Sequence, residues 1–493
     1  GEVRVIDVVS VHDSGAALNL AGAEGQITGA VVMGLGAALG EELVYEGGRL
    51  VNPSDLEYAA PRPADVPTVR PVLLDAHDPA GPYGAKALGE NGLVPTPAAV
   101  ANAVAHATGI RIRELPITPD KLLPRLRPAP PRTPVWRRPT RWWTALIRAL
   151  YPLGLFRALD RWGTRFARGT ATAPVTELRS PSTVDEAVAA HDTDSSYIAG
   201  GTDLLVARDQ GVTAPVRLID LTTIRSLAEL REEPDGGLTI GAAVTLADLL
   251  GHLARGHDPM LTALLQALAT PLIREMATVG GNLLQEKRCS FFRNGFSCYK
   301  RGGPTCPCYA VSGEHRFGHA VVDGHRCQAV TPSDLATGLL ALDAVVAISD
   351  TRGHERRIPV GGLYDGPGEA VLAEGELLTA VHVPARARAR TAVFEKLRKY
   401  AGDFAVCSAA VSLEVEDGVV RDARVALGAV APTPYRATRT EDLLRDARLD
   451  ERDRLDQAAD AWACDAHPLA DNAWKVDATC GLVRRALRRL AQP

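Results

Sequence analysis

The chain has 493 residues, of which 46% are hydrophobic and 23% charged, a composition that excludes a wholly disordered, collagen-like or coiled-coil protein. At roughly 150 residues per domain, this length predicts about three domains. Lysine and arginine total 55 against 59 aspartates and glutamates, so the net charge of −4 gives no sign of a nucleic-acid partner.

Residues 1–122 mix strand-like and helical patterns, which predicts a small α+β domain. An apolar alternation predicts a strand at 3–11, and small apolar residues predict a helix at 27–39. A proline-rich surface segment is expected at 53–71.

A second helix is predicted at 96–108, because Pro97 suits a first helical turn and Gly109 suits a helix end. The sequence starts inside a strand-like pattern with no initiator methionine, so we expect a fragment or a processed product. The longest apolar runs fall short of the ~18–20 residues that a membrane-spanning helix needs, and we expect a soluble protein.

Prolines and arginines crowd together at 124–139, and residues 123–175 are therefore predicted to link two bodies. Apolar residues recur at helical spacing across 143–166, where arginines are also frequent. This amphipathic helix would either pack on a neighbouring domain or lie on a membrane surface, and we favour packing.

Residues 176–388 have an α/β pattern, and residues 389–493 are predicted to form a separate C-terminal α+β domain. The strands expected in these two domains lie at 196–199, 217–220, 238–240, 409–415 and 423–429. A helix is expected to end the chain near Leu490.

Two glycine pairs mark candidate phosphate-binding loops. The first loop consists of Ala199, Gly200, Gly201, Thr202 and Asp203, and follows a predicted strand. The second contains Thr278, Val279, Gly280, Gly281 and Asn282. Glycines let backbone N–H groups converge on a phosphate, and Thr202 and Asp203 suit a helix cap. A long dinucleotide such as FAD needs several such contacts, whereas the GxGxxG fingerprint of a Rossmann site is not present.

Five of the eight cysteines lie close together in the sequence, interrupted by glycines and prolines: Cys289, Cys298, Cys306, Cys308 and Cys327. Converging thiolates in an irregular loop suit either an iron–sulfur cluster or a structural zinc. Nearby cations would offset the negative charge of a cluster; they are Lys287, Arg288, Arg293, Lys300, Arg301 and Arg316. We expect Cys407, Cys464 and Cys480 to be ordinary buried thiols.

A single carboxylate, Glu90, stands among small residues between Gly84 and Gly92. A lone glutamate is usually solvated. The alternative is a general base held in a cramped pocket, where only glycine allows close backbone approach.

These motifs resemble the molybdenum hydroxylase family of xanthine dehydrogenases and aldehyde oxidoreductases. Residues 1–122 look like the C-terminal end of a molybdopterin-binding subunit, through Val11-His12-Asp13-Ser14-Gly15, Glu24-Gly25-Gln26-Ile27 and Leu115-Pro116-Ile117-Thr118-Pro119. The resemblance places Glu90 on the family's catalytic glutamate, which takes a proton from a molybdenum-bound hydroxyl. It places Gln26 beside the molybdopterin cofactor.

Residues 176–491 resemble the FAD-binding subunit of the same family, which has a two-lobed α/β FAD domain followed by an α+β domain. The two glycine loops correspond to its flavin loops. Ser333 and Asp334 match a flavin-contacting Ser-Asp pair, and Lys396 matches a flavin-proximal lysine.

The cysteine loop, residues 286–328, is similar to an insertion that carries an additional [4Fe-4S] cluster in flavin subunits of the periplasmic aldehyde oxidoreductase and 4-hydroxybenzoyl-CoA reductase type. By that pattern Cys289, Cys298, Cys308 and Cys327 are the ligands. Cys306 is then a spare thiol, although it could exchange roles with Cys308.

The resemblance implies an electron-transfer component that receives electrons from molybdenum through [2Fe-2S] centres on a partner subunit and passes them from FAD to an external acceptor. Its partners would be the molybdopterin-binding and [2Fe-2S] subunits, with an aldehyde, N-heterocycle or other aromatic compound as the small-molecule substrate. No CxxxxCxxC run is present, and residues 1–122 are too short to enclose a molybdopterin cofactor alone.

Two other functions stay open at this point. One is a non-catalytic assembly or scaffold protein with a zinc-stabilised cysteine loop, and the other is direct oxidation of a small substrate at FAD. Iron–sulfur thiols favour the cytoplasm, with export on a partner's signal as the alternative.

Overall fold

The computed structural model describes residues 1–74, 76–127, 174–256, 258–303, 306–366 and 369–492. The amphipathic helix predicted across 143–166 lies outside these residues. The described residues form two compact units: unit 1 contains 1–45, 49–127 and 399–403, and unit 2 contains 46–48, 174–398 and 404–492. Among the described residues, no helix is long and apolar enough to cross a membrane.

Unit 1 is built on long helices and a parallel strand pair. Its helices are α1 (Leu20–Leu39), α2 (Thr96–Thr108) and α3 (Pro119–Leu126), and the strands of residues 1–74 are β1 (Asp7–His12), β2 (Tyr45–Glu46), β3 (Arg49–Leu50) and β4 (Thr68–Leu73). Strands β1 and β4 pair in parallel, from Asp7 opposite Thr68 to His12 opposite Leu73. One face of the pair packs against Ile27, Val31 and Leu35 of α1.

The helix predicted at 96–108 is confirmed, and it ends at Gly109, whose φ of +74° is left-handed. Helix α1 begins earlier than predicted, because the Asn19 side chain accepts a hydrogen bond from the Gly22 amide (2.9 Å) and caps it. The predicted surface segment 53–71 is partly wrong, since β4 begins within it at Thr68.

Unit 2 contains three sheets. Its helices are α4 (Val184–Ala189), α5 (Leu204–Asp209), α6 (Leu246–Leu253), α7 (Pro259–Ala267), α8 (Pro271–Met276), α9 (Val279–Leu284), α10 (Ser290–Arg293), α11 (Tyr299–Gly302), α12 (Asp334–Ala341), α13 (Ala385–Arg388), α14 (Thr438–Leu444), α15 (Arg452–Ala461) and α16 (Trp474–Leu490). Its strands are β5 (Glu177–Arg179), β6 (Ser195–Ile198), β7 (Arg217–Asp220), β8 (Leu230–Glu232), β9 (Leu238–Gly241), β10 (Val345–Ser349), β11 (Glu355–Pro359), β12 (Leu377–Val383), β13 (Thr391–Leu397), β14 (Cys407–Glu416), β15 (Val419–Gly428) and β16 (Tyr435–Arg436).

The predicted α+β class, with two FAD-domain lobes and a C-terminal domain, is confirmed by these sheets. The first lobe is a parallel sheet of order β5-β7-β6, and the second is an antiparallel sheet of order β11-β10-β12-β9-β8. The C-terminal sheet has the antiparallel order β13-β14-β15-β16 and packs against α16. One continuous core runs from Ile240 through Leu264 and Leu339 to Phe394 and Ala410, so it joins the second lobe to the C-terminal sheet.

A charged cluster around Asp343 reinforces this junction. The Asp343 carboxylate accepts hydrogen bonds from Arg424 (2.8 Å), Arg436 (3.0 Å) and Arg390 (3.3 Å). Burial opposes ionisation of Asp343, but Arg424 and Arg436 outweigh it and lower the pKa of this carboxyl. The backbone of Asp343 is left-handed, with φ of +49°.

Replacing Asp343 with asparagine is expected to lower the free energy of unfolding by about 2–3 kcal/mol, because three arginines lose their anionic acceptor. Asparagine keeps the shape and tolerates the left-handed backbone. Because the folded-state pKa is lowered, this stabilisation is present above the ordinary value of 3.8 and disappears as the pH falls through the folded-state pKa. Urea unfolding at pH 7 and in acid measures both effects.

Asp417→Asn is the matched control, since Asp417 also has a positive φ (+51°) but is exposed. Its free energy of unfolding should change by less than about 0.5 kcal/mol. Equal midpoints for the two variants at pH 7 would contradict the role assigned to Asp343.

Candidate functional site

The first glycine loop connects β6 to α5. A Cβ atom on Gly200 would stand 1.6 Å from the carbonyl oxygen of Met276, so only glycine lets this loop lie against the segment that precedes the second loop. Gly201 has a φ of +69°, a left-handed conformation that glycine adopts without strain. The two predicted loops are thus brought together.

The second loop follows α8: Thr278 is the N-cap of α9, and Val279 to Asn282 form the first turn of that helix. Thr278 caps α9 by accepting a hydrogen bond from the Gly281 amide (3.2 Å). A Cβ on Gly280 would stand 3.0 Å from Ala242, whereas a Cβ on Gly281 would meet only the Thr278 hydroxyl within 4 Å. Gly280 therefore packs against the protein, while Gly281 leaves an open, exposed face.

The prediction that Asp203 caps α5 is wrong, since its side chain makes no capping bond. The carboxylate accepts instead from the Glu286 amide (2.7 Å) and from Arg293 (2.8 Å), and it pairs with Arg288 (2.8 Å). The charged partners, Arg288 and Arg293, lie in the predicted cysteine loop. Their attraction for the Asp203 carboxylate outweighs a capping hydrogen bond to the short helix α5. Asp203 therefore ties the first glycine loop to the cysteine loop.

The predicted Ser-Asp pair begins α12, directly beside the second loop. The Ser333 hydroxyl donates to the side-chain oxygen of Asn282 (2.7 Å) and accepts from the Ala336 amide (3.0 Å). Asp334 forms a buried ion pair with Lys396 (2.7 Å) and accepts from Ser408 (3.2 Å). Lys396 also donates to the Ala267 carbonyl (3.1 Å). Asp334 and Lys396 thus satisfy each other's charge within the protein.

Apolar side chains are exposed on the elements that carry the two loops. Three lie on α8, where Leu272 is 82% exposed and Met276 56% exposed. The full set is Leu205, Leu272, Ile273, Met276 and Leu284. Exposed apolar groups beside a polar loop are typical of a surface that a ligand or a protein covers.

The four thiols expected to be ligands affect one another's pKa values. Burial raises the pKa of Cys289, and Cys308, Cys327 and Cys298 raise it further. Burial, Cys327 and Cys298 raise the pKa of Cys308 to about 12. Burial also raises the pKa of Cys327, with a contribution from Cys298. All six pairs among the four thiols therefore interact.

Cys306 behaves differently from these four. Its thiol donates to the carbonyl of Gly302 (3.3 Å). Among the described residues, no group of three or more histidine, cysteine, aspartate or glutamate side chains is arranged to hold a single metal ion.

Backbone amides and cations surround the thiols. Cys298 accepts from the backbone of Arg301 and Lys300, Cys308 from that of Gln328 and Ala310, and Cys327 from that of Ala329. Of the six cations predicted to offset cluster charge, Lys287 and Lys300 lower the pKa of Cys327, and Arg301 lowers that of Cys298. Arg288 and Arg293 pair with Asp203 instead, and Arg316 with Glu314 (2.8 Å).

The structure adds one residue that the sequence patterns did not single out. His319 is 4% exposed, and its Nε2 lies 3.3 Å from the Cys289 sulfur. Burial, together with Lys475 and His315, lowers the pKa of His319 to about 3, so the ring is neutral at physiological pH. A histidine among closely spaced cysteines is a sequence signal that would have pointed to it.

In unit 1 the two residues matched to the molybdenum site lie near each other. The Gln26 side chain donates to the carbonyl of Gly89 (2.9 Å), next to Glu90. Glu90 is exposed, so the described residues of unit 1 do not form a cramped pocket around it. In unit 2, Cys407 and Cys480 are buried as expected, but Cys464 is exposed, so that prediction is wrong for Cys464.

Three domain models match the chain. Residues 174–386 match the FAD binding domain in molybdopterin dehydrogenase, and residues 392–490 match the CO dehydrogenase flavoprotein C-terminal domain. Residues 1–67 match the molybdopterin cofactor-binding domain.

Known proteins show the same division. The chain is 34% identical over 290 residues to the aldehyde oxidoreductase FAD-binding subunit PaoB of Escherichia coli, covering 57% of this chain and 87% of that protein. It is 47% identical over 129 residues to the molybdenum-binding subunit PaoC of an aldehyde oxidoreductase from E. coli, covering 26% of this chain but only 18% of that protein.

A solved carbon monoxide dehydrogenase from Hydrogenophaga pseudoflava, which lacks the Mo-pyranopterin moiety, has a chain that superposes with a TM-score of 0.51 at 26% identity, covering 64% of this chain and 96% of that chain. This protein therefore belongs to the molybdenum hydroxylase family of xanthine dehydrogenase and aldehyde oxidoreductase type, as a FAD-binding subunit preceded by a fragment of a molybdopterin-binding domain.

Proposed function

We propose that unit 2 is the electron-transfer component of a molybdenum hydroxylase, holding FAD and a [4Fe-4S] cluster. When bound, these groups accept and release electrons; the protein positions and tunes them. FAD would be held by Ala199–Asp203, Thr278, Gly280, Gly281, Asn282 and Ser333, together with the Asp334–Lys396 ion pair that begins at the residue after Ser333. Cys289, Cys298, Cys308 and Cys327 would hold the cluster.

The observation that carries the proposal is the bonding of Asp203. This residue belongs to the first glycine loop, and its partners Arg288 and Arg293 belong to the cysteine loop. Arg293 is 3% exposed in its side chain, so the connection is buried. This bonding holds the first glycine loop next to the cysteine loop. Such a connection suits FAD and a cluster that must exchange electrons.

The open face of Gly281 supports the flavin part. Gly200 and Gly280 are explained by protein packing, but at Gly281 the protein leaves room for a side chain. A ligand that approaches the backbone closely would require a glycine at this position. The exposed apolar side chains of α8 offer a surface for an aromatic ring.

The number and burial of the thiols support a cluster. Cys298 and Cys327 are buried and Cys289 and Cys308 half-buried, and four thiolates are the ligand set of a [4Fe-4S] cluster. A structural zinc would use the same four thiols, and the metal analysis below distinguishes the two. Amide hydrogen bonds to the sulfurs and nearby cations are the features that tune such a cluster.

We propose that unit 1 contributes Glu90 as the general base and Gln26 as a cofactor contact of a molybdenum site. The remaining residues of that site would come from the rest of a molybdopterin-binding domain, since this chain spans 18% of the molybdenum-binding relative. We favour aldehydes as the substrate class, because both E. coli relatives are subunits of an aldehyde oxidoreductase. N-heterocycles and other aromatics are the alternative.

In this scheme the FAD and the cluster held by unit 2 would relay electrons to an external acceptor, and a molybdenum site would supply them through [2Fe-2S] centres of a partner subunit. We place the complex in the cytoplasm because thiolate ligands persist in a reducing compartment, with export through a partner's signal as the alternative.

The test is anaerobic purification of the full chain, followed by analysis of FAD, iron, acid-labile sulfide and zinc, and by EPR after reduction. About one FAD with about four irons and four sulfides per chain is the expected result. Zinc without flavin or iron would overturn the proposal and favour a non-catalytic scaffold protein.

A further inference from the structure

His319 sits beside the thiols without being one of the ligands assigned above. Its Nε2 is 3.3 Å from the sulfur of Cys289, within hydrogen-bonding distance for a sulfur acceptor. The side chain is almost completely buried, so water does not compete for this contact.

The backbone around His319 is held firmly. Its carbonyl accepts hydrogen bonds from the Lys475 ammonium (2.9 Å) and the Asn472 amide (3.3 Å), both of which are fully buried. His319 also forms a bridge with Ala329, two residues beyond Cys327. The imidazole packs against the ring of Phe291, with 6.4 Å between centroids. The ring is therefore fixed in its position beside Cys289.

The hydrogen-bond partners of the imidazole determine its tautomer. A ligating thiolate can only accept a hydrogen bond, so the Nε2 atom facing Cys289 must carry hydrogen. Nδ1 is buried with no hydrogen-bond partner, and a hydrogen placed there would have no acceptor. A ring with its hydrogen on Nε2 satisfies the one polar contact that the site offers.

We propose that His319 tunes the cluster by donating an Nε2–H hydrogen bond to the sulfur of Cys289, which raises the reduction potential. The inference rests on the proposed [4Fe-4S] function. On reduction one electron enters the cluster and no bond is broken, so the sulfurs become more negative. A fixed donor stabilises that reduced state more than the oxidised state.

The first test compares midpoint potentials of the purified full chain, measured by EPR during reduction with dithionite, with FAD and iron content determined in parallel. His319→Leu removes the donor and should favour the oxidised state about tenfold, a shift of about 59 mV to lower potential for one electron. His319→Gln, whose amide can reach the same sulfur, should recover at least half of the shift. His325→Leu, at an exposed histidine of the same loop, should change nothing.

An unchanged midpoint potential in His319→Leu, with about four irons retained, overturns the role of His319 but not the proposed function. Wild-type protein without iron overturns the proposed function, and the role of His319 with it. If His319→Leu fails to assemble, wild-type protein labelled with ¹⁵N-histidine decides the question. Pulsed EPR of the reduced cluster should show weak coupling to one imidazole nitrogen. No coupling, or coupling as strong as that of a directly ligated nitrogen, would overturn the hydrogen-bond role.

Discussion

Cys308→Ser is expected to remove about four irons and four sulfides per chain while leaving FAD in place. A serine hydroxyl is a poor iron ligand, because its oxygen is harder than a thiolate and is protonated at neutral pH. Asp203 ties the first glycine loop to Glu286, Arg288 and Arg293 rather than to Cys308, so retained FAD would show that the chain still folds. The same loss is expected for Cys289, Cys298 and Cys327, which interact with Cys308 and with one another.

Cys306→Ser is the matched control, since it makes the same atomic change two residues away. Cys306 bonds to the Gly302 carbonyl rather than to the other thiols, and iron content should be unchanged. Iron retained in Cys308→Ser and lost in Cys306→Ser would show that the two cysteines exchange roles. Iron retained in both would refute the ligand set.

Gly281→Leu is expected to weaken FAD binding at least a hundredfold, about 3 kcal/mol, because the side chain would fill the open face of the second loop. The folded chain should tolerate the change if the Thr278 side chain shifts slightly, since its hydroxyl, at 3.0 Å, is the one heavy atom within 4 Å of the new Cβ. Flavin absorbance after gel filtration and FAD titration of the apoprotein measure the effect, and thermal unfolding of the apoprotein confirms the fold.

Gly251→Leu serves as its control, because Gly251 also lies in a helix of unit 2 and has no neighbour within 4 Å of a new Cβ. This variant should bind FAD normally. Gly200→Ala should behave differently from both, since its Cβ would collide with the Met276 carbonyl and disturb the two loops. Full FAD occupancy in Gly281→Leu would mean that flavin lies elsewhere.

Local sequence patterns predicted the elements whose signals are local. The helix Thr96–Thr108 has a proline in its first turn and a glycine at its end, and the strand Arg217–Asp220 has Leu218 and Ile219 at its centre, so both match the prediction. Helix α1 was predicted too short because its start depends on a cap at Asn19 rather than on apolar periodicity.

Long-range contacts decided the features that the sequence misassigned. Asp203 has the residue type and position of a helix cap, but it bonds to Arg288 and Arg293, which are more than 80 residues away in the sequence. Thr68 lies in a proline-rich segment, yet it joins a strand because β1 offers a parallel partner.

By itself the sequence determined the fold class, the two glycine loops and the candidate thiols, because glycine and cysteine reveal their roles by type and spacing. Only the tertiary structure showed that Cys306 bonds to the Gly302 carbonyl and that His319 lies against Cys289. The reason is physical: the folded chain brings together residues distant in sequence, and their burial and hydrogen bonds depend on that packing.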